Sequence, residues 1–301
     1  MAAIVVEDLR RSYGAVEAVR GVSFEVPEGR VFALLGPNGA GKTTTVEILE
    51  GFRSRDGGRV SVLGHDPARG GRALRERIGI VLQSTSLEPY LTVAETIEMF
   101  RGYYPRPRPL EEVLEAVGLV AQRDVPVRRL SGGQRRRLDV AVALAGDPDL
   151  LFLDEPTTGF DPAARREAWG MLLGLRALGR TIVLTTHSMD EAQELADEVA
   201  VMVRGRIVAQ GPPATLGGRD RGRSVIRFRL PPGRDELPEP LRARASVCDG
   251  AVELESHDPT RDLHLLTGWA LERGARLDGL EVRRPTLEDV YLELTEGEAG
   301  S

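Results

Sequence analysis

The chain is almost without lysine: of 40 basic residues, Lys42 is the single lysine and the other 39 are arginine. It has one cysteine, Cys248, which excludes an intramolecular disulfide framework and a zinc cluster built on thiolates. No stretch approaches the roughly 18 consecutive apolar residues of a membrane span. Met1 to Glu7 lacks the basic-then-apolar build of a signal peptide. The expectation is a chain that folds and stays in the cytosol. Sustained heptads and internal repeats are missing, which argues against a long coiled coil. A concentrated basic surface is missing too. The net charge is −6, and Ser224 to Ser301 carries 10 basic against 16 acidic residues, leaving 30 of each sign before it. A protein that grips nucleic acid through its phosphates needs the opposite balance, so no nucleic-acid partner is expected.

What is present is a chain of 301 residues, 41% hydrophobic and 29% charged, the composition of a soluble globular protein. That length suggests two domains. The lone lysine lies in Gly36-Pro37-Asn38-Gly39-Ala40-Gly41-Lys42-Thr43-Thr44, which fits the phosphate-loop pattern G-x-x-x-x-G-K-[ST]. A compact ammonium on a flexible stem reaches between two phosphates, whereas a guanidinium is a wider planar fork suited to flanking them. Lysine is kept at the one position where that chemistry calls for it, which makes chance survival a poor reading.

Val31 to Leu35 is a continuous apolar run that reads as a buried strand feeding the loop, and Thr43 to Gly51 begins a helix. Strand, glycine loop and helix N-terminus form an anion cradle, in which backbone N–H groups and the helix dipole favour phosphate. Thr43 is placed to put its hydroxyl on a magnesium ion. Leu150 to Leu153 and Thr181 to Thr185 are two more apolar runs ending in polar residues, the place where open α/β sheets carry their chemistry. The first delivers Asp154 and Glu155, one suited to holding magnesium and the other to polarising an attacking water. Val199 to Val203 and Arg206 to Gln210 flank Gly205 as a hairpin.

Thr92 to Leu144 is mainly helical, with Val93, Ile97 and Phe100 on one face and Val113, Leu114 and Val117 on another. Within it, Leu130-Ser131-Gly132-Gly133-Gln134 precedes a helix expected from Arg135 to Ala145, a second phosphate-binding N-terminus or simply a cap and turn. Gln83 follows a strand from Ile78 to Leu82, Gly159-Phe160-Asp161 follows the acidic pair, and His187 follows a strand. After a Gly/Pro- and Gly/Arg-rich stretch, Ile226, Phe228 and Leu230 alternate with arginines, and Val252 and Leu254 with glutamates, as half-buried strands do. Leu287, Val290, Tyr291 and Leu294 fall at helical spacing behind a Thr286 cap, with Asp289 beyond it.

Together these motifs, in this order, resemble the ATPase subunit of ATP-binding cassette (ABC) transporters. The resemblance runs from about Ile4 to Gly211. It implies an α/β P-loop NTPase core over residues 1–215 with a helical subdomain at about 88–145. A linker at 216–223 and a small C-terminal α+β domain at 224–301 would follow. It also implies ATP and Mg2+ as the bound species. Tyr13 would stack on adenine, Gln83 would sense magnesium and the γ-phosphate, and His187 would contact that phosphate, with Asp161 in the family's D-loop. Tyr13 as an ordinary half-buried aromatic and Asp161 as the start of a turn at Pro162 are the plainer alternatives. Phe160 stands where the family often has leucine or alanine.

The same resemblance implies a head-to-tail dimer, with an identical or a related ATPase subunit, in which Ser131 to Gln134 of one subunit close over ATP on the other. Pro285 to Leu294 resembles the C-terminal motif of drug-resistance and type-2 exporter ATPases, which implies export rather than import. Separate membrane permease subunits would dock on Ser84 to Glu98, with Leu87, Tyr90 and Leu91 as apolar candidates, and hold the chain at the cytoplasmic face of the membrane. Two other classes share the loop. A non-transport cassette ATPase acting on DNA or ribosomes typically adds coiled coils or a second cassette. Many GTPases read guanine with Asn-Lys-x-Asp, for which this chain has no second lysine.

Overall fold

The computed structural model describes residues 1–82, 86–216, 224–230, 237–248, 251–283, 287 and 291. The chain divides into two compact units, Met1–Pro213 and Ala214–Ser301.

The first unit is built on a six-stranded sheet of β3 (Val31–Leu35), β5 (Ile78–Val81), β6 (Leu150–Asp154), β7 (Thr181–Thr186), β8 (Glu198–Val203) and β9 (Arg206–Gly211). Its spatial order is β5-β6-β7-β3-β8-β9, parallel throughout except for the antiparallel edge strand β9. All five side chains of β3 and all six of β7 are buried, as continuous apolar runs covered on both faces should be. Burying a large aliphatic or aromatic side chain contributes roughly 1.5–3 kcal/mol relative to leaving it exposed, so Phe32, Leu34 and Leu35 anchor the strand firmly. The β8–β9 hairpin turns at Arg204 and Gly205, both with positive φ, as a two-residue connection between right-twisted strands requires.

A three-stranded antiparallel sheet, in the order β2-β1-β4, is made from β1 (Ala2–Tyr13), β2 (Val16–Pro27) and β4 (Gly57–Val62). One core cluster joins both sheets, and Phe24 of β2 stacks on Phe32 of β3 with ring centroids 4.9 Å apart. Helix α1 (Lys42–Leu49) follows β3 and contributes Val46, Ile48 and Leu49 to that core. The short helix α2 (Gly71–Arg75) follows β4.

Between β5 and β6 lies the helical segment of α3 (Val93–Arg101), α4 (Leu110–Val117) and α5 (Gly132–Leu144). Val93, Ile97, Val113, Leu114 and Val117 are buried along it. Thr92 opens α3 with a reciprocal capping box to Glu95. Helix α5 begins at Gly132, three residues before the expected start. Its Ser131 cap brings both glycines into the first turn despite their poor helix propensity. Helices α6 (Pro162–Ala177) and α7 (Met189–Leu195) follow β6 and β7.

The second unit is a four-stranded antiparallel sheet in the order β11-β12-β10-β13, from β10 (Ser224–Arg229), β11 (Ala245–Cys248), β12 (Ala251–Ser256) and β13 (Asp278–Arg283). Helices α8 (Glu239–Arg242) and α9 (Pro259–Glu272) complete it. Ile226, Phe228, Leu241, Val252, Leu254 and Leu266 form its core. Leu287 is buried, whereas Thr286, Asp289, Val290 and Leu294 of the expected last helix lie outside the described residues, as does most of the expected linker.

Candidate functional site

The buried strand β3 ends at Leu35 and the chain emerges at Gly36. A Cβ on Gly36 would collide with the Met202 carbonyl oxygen, and one on Gly41 with the Ala18 carbonyl oxygen, so both positions accept only glycine. Gly41 adopts a left-handed φ of 101° and no side chain caps α1 behind it. The first N–H groups of the helix have no intrahelical acceptor and open into the loop. Pro37, Asn38 and Gly39 form the exposed rim, and Ala40 is buried beneath it.

Lys42 is only 5% exposed. Its Nζ donates to the carbonyl oxygens of Gly36 (2.7 Å) and Pro37 (3.1 Å), so the ammonium is folded back over the loop. Burial lowers its pKa, while the charges of Glu155 and Asp154 work to keep the proton on. The three threonines behind it differ. Thr43 is exposed, Thr44 half-buried, and Thr45 is buried and donates to the Gly41 carbonyl oxygen at 2.9 Å.

The carboxylates arrive from two strands away. The parallel register pairs Asp154 of β6 with Thr185 of β7, and Thr186 of β7 with Leu35 of β3. The acidic edge and the glycine loop therefore open at the same end of the sheet. Thr185 joins them: its hydroxyl donates to Asp154 Oδ1 and accepts from the Glu155 N–H at 3.1 Å. Glu155 has a positive φ of 46°, unusual for a residue with a side chain. Its Oε1 lies 3.2 Å from His187 Nδ1, and its Oε2 accepts from the Thr158 hydroxyl at 3.1 Å. Thr185 and Thr158 are two site residues that sequence reasoning missed. Both belong to motifs it had marked, the strand before His187 and the loop after Glu155.

At the far end of α1, Glu50 is buried, and its carboxyl pKa is pushed up to about 8 by desolvation, then by the neighbouring charges of Asp154 and Glu47. Tyr13 is partly exposed, with the Arg11 guanidinium 4.9 Å and that of Arg53 5.6 Å from its ring centroid. Arg53 is itself paired with Glu47 on α1, and Arg11 with Asp56 at 2.7 Å. Gln83 lies outside the described residues.

The second helix N-terminus stands apart. The Ser131 hydroxyl accepts from the Gln134 N–H at 3.2 Å, and the Gln134 side-chain oxygen accepts from the Ser131 N–H at 3.0 Å. Asp161 caps α6, accepting from the N–H groups of Ala163 and Ala164 at 2.9 Å each. Ser131, Gly132, Gly133, Gly159 and Asp161 line one groove of about 790 Å³, which Lys42, Asp154 and Glu155 do not line. Among the described residues no hydrogen bond or ion pair joins Ser131–Gln134 to the lysine or the carboxylates. Within one chain the cradle and this groove are separate.

The donor set fits a magnesium ion held jointly with phosphates. The Thr43 hydroxyl and the Asp154 carboxylate are hard oxygen donors, and no cluster of three His, Cys, Asp or Glu residues among the described residues would form an all-protein cage.

A family model described as ABC transporter matches residues 19–158. One described as ABC transporter domain-containing protein-like, C-terminal domain, matches residues 224–286. The Nod factor export ATP-binding protein I of Ralstonia nicotianae is 42% identical over 304 residues, covering 96% of this chain and 92% of that protein. The daunorubicin resistance ATP-binding protein DrrA2 of Streptomyces coeruleorubidus is 40% identical over 311 residues, covering 97% and 95%. Among solved structures, cbiO1 of Clostridium perfringens, part of the ABC transporter complex cbiONQ, superimposes with a TM-score of 0.65 at 32% identity, covering 71% of this chain and 89% of that one. An ATP-binding cassette of an ABC transporter in its ADP conformation gives 0.63 at 27% identity, covering 70% and 91%.

Proposed function

The chain belongs to the ABC transporter family as an ATP-hydrolysing subunit of the drug-resistance and type-2 exporter kind, and from that premise we propose how its residues carry out the reaction. The observation that carries the reading is the meeting of the Gly36–Thr44 cradle and the Asp154–Glu155 pair at one sheet end, joined through Thr185. The triphosphate of ATP lies on the loop and α1 N–H groups. Lys42 leaves the Gly36 and Pro37 carbonyls and takes phosphate oxygens instead. Adenine stacks on Tyr13.

Glu155 accepts a proton from the attacking water. The water oxygen bonds to the γ-phosphorus as the bond to the β–γ bridging oxygen breaks, releasing ADP and phosphate. His187, beside Glu155, contacts the γ-phosphate, and Gln83 and Asp161 complete the surround. Thr43 and Asp154, with Gln83, would hold Mg2+, which when bound neutralises phosphate charge.

Ser131 to Gln134 of a second ATPase subunit, identical or related, close over the nucleotide. Membrane passage is assigned to separate subunits, since no helix of the described residues is long and apolar enough to cross a bilayer. The docking segment Ser84 to Glu98 presents Tyr90, 71% exposed with the Arg128 guanidinium 5.1 Å from its ring, and the half-buried Leu87 and Leu91. The direction is export, the reading supported by relatives named for Nod factor export and daunorubicin resistance. The chain works at the cytoplasmic face.

Replacing Glu155 by Gln tests the chemistry: turnover should fall by about 100-fold or more while ATP still binds. Unchanged turnover would remove Glu155 from catalysis. Association with multi-span membrane proteins in detergent extracts tests the transport role, and salt-sensitive recovery of ribosomes or DNA instead would reverse it.

A further inference from the structure

Glu155 holds a left-handed backbone that persists only where neighbours impose it. The residues on either side of it are held by two charged side chains from two different helices, one largely and one fully withdrawn from solvent. Arg136, in α5, donates to three backbone carbonyls: Nη1 to Leu82 at 2.5 Å, Nη2 to Asp154 at 3.1 Å and Nε to Pro156 at 3.2 Å. Its side chain is 11% exposed, with Asp139, one turn along α5, 3.8 Å away. Of the three consecutive arginines, Arg135 is exposed and Arg137 pairs with Glu167 on α6, so Arg136 alone enters the strand ends.

From the other side, Glu191 of α7 is 2% exposed. Its Oε1 accepts from the Thr157 hydroxyl at 2.6 Å and from Trp169 Nε1 of α6 at 3.4 Å. Its own N–H is capped by Ser188, the residue after His187. The segment Asp154–Thr157, with the base in its middle, is therefore gripped on one side by the helix that Ser131 opens and on the other by the helix that follows His187.

We propose that Arg136 and Glu191 are positioning residues for Glu155, a clamp that fixes the backbone of the base and ties it to the seating of α5 and of the His187 loop. The inference rests on the reading of Glu155 as the base. A lysine at position 136 keeps the charge but cannot serve three carbonyls in different directions, because only the guanidinium presents a planar fork of five donors. At position 157 the hydroxyl alone matters, so serine preserves the contact and valine abolishes it.

The test measures steady-state ATP turnover and fluorescent-ATP affinity on full-length Arg136→Lys, Thr157→Val, Thr157→Ser and Glu191→Gln, beside Glu155→Gln. Displacing a catalytic group by a fraction of its reach should lower kcat by about 10- to 100-fold in Arg136→Lys and about 10-fold in Thr157→Val, with KM and affinity held within about twofold. Thr157→Ser and Glu191→Gln, which keep the hydroxyl donor and the oxygen acceptor, should retain kcat within about threefold of the parent. The double variant Arg136→Lys/Thr157→Val should be no slower than the product of the single losses divided by about 5, because both act on one segment.

Unchanged kcat in both Arg136→Lys and Thr157→Val overturns the clamp, as do fully multiplicative losses or an equal loss of kcat in Thr157→Ser and Thr157→Val. If Arg136→Lys fails to fold, the Thr157 pair decides alone. Loss of turnover in Glu155→Gln with none in the clamp variants rejects the clamp and spares the base. Retained turnover in Glu155→Gln rejects both.

Discussion

Two helices of this chain begin at glycine-rich loops, and they begin differently. Helix α1 starts behind Gly41, in a left-handed conformation that places no side chain over the first amides. Helix α5 starts behind Ser131, whose hydroxyl and whose partner Gln134 satisfy two of those orphan groups within the chain. The first end is therefore open to phosphate, with a buried ammonium folded over it. The second is self-satisfied and gains from a ligand only by exchanging a neutral cap for charge-assisted hydrogen bonds to phosphate. The cradle should bind alone, whereas the lid should act only once nucleotide is already held opposite it.

The largest expected effect breaks the open end. Lys42→Arg conserves charge but replaces a slim ammonium by a fork that cannot reach between phosphates, and should cost about 100-fold in ATP affinity by titration calorimetry. Next, Gly41→Ala drives a Cβ into the Ala18 carbonyl at a left-handed φ, and should lower affinity by about 10-fold or more together with stability. Gly132→Ala is its control: a Cβ there meets nothing within 4 Å, so affinity should stay within about twofold.

A smaller effect belongs to the closed end. Ser131→Ala removes a cap worth about 1 kcal/mol and should lower the melting temperature by about 2–4 °C. It should also reduce turnover by about 10-fold without weakening ATP binding to the single chain. An affinity loss equal to that of Gly41→Ala would erase the distinction between the two ends.

The smallest effect lies at the other end of α1. The Glu50 carboxyl titrates near 8 in the fold against an ordinary 4.5, so the folded state holds an extra proton between these values. The stability it contributes is complete below about 4.5 and is lost as pH rises through about 8. Glu50→Gln should therefore melt a few degrees above the parent at pH 9 and level with it at pH 5, followed by circular dichroism. Parallel melting at both pH values would show that Glu50 stays ionised throughout.

What the sequence made legible were the features with a local signature. β3, β6 and β7 are unbroken apolar runs, and Lys42, Asp154, Glu155 and His187 sit where those runs end. Ser131 and Gln134 have capping-box spacing, yet the start of α5 was expected at Arg135, because two glycines outweigh a cap in a propensity reading. β1 and β2 went unread. Their pairing slips register repeatedly, as between Val6 and Leu9, which breaks the period-two alternation that marks a half-buried strand. Arg136 and Glu191 were hidden for another reason. An arginine among three and an acidic residue in a first helical turn look like solvated surface until the fold turns them inward.

The central claim is that one chain supplies the cradle and another the lid. Light scattering on Glu155→Gln, with saturating ATP and magnesium, tests it most directly. The account predicts a particle of twice the 32.8 kDa chain with ATP, and one chain's mass without ATP or when Ser131 is also changed to Arg. One ATP per chain, fully bound, on particles that never exceed a single chain would contradict it.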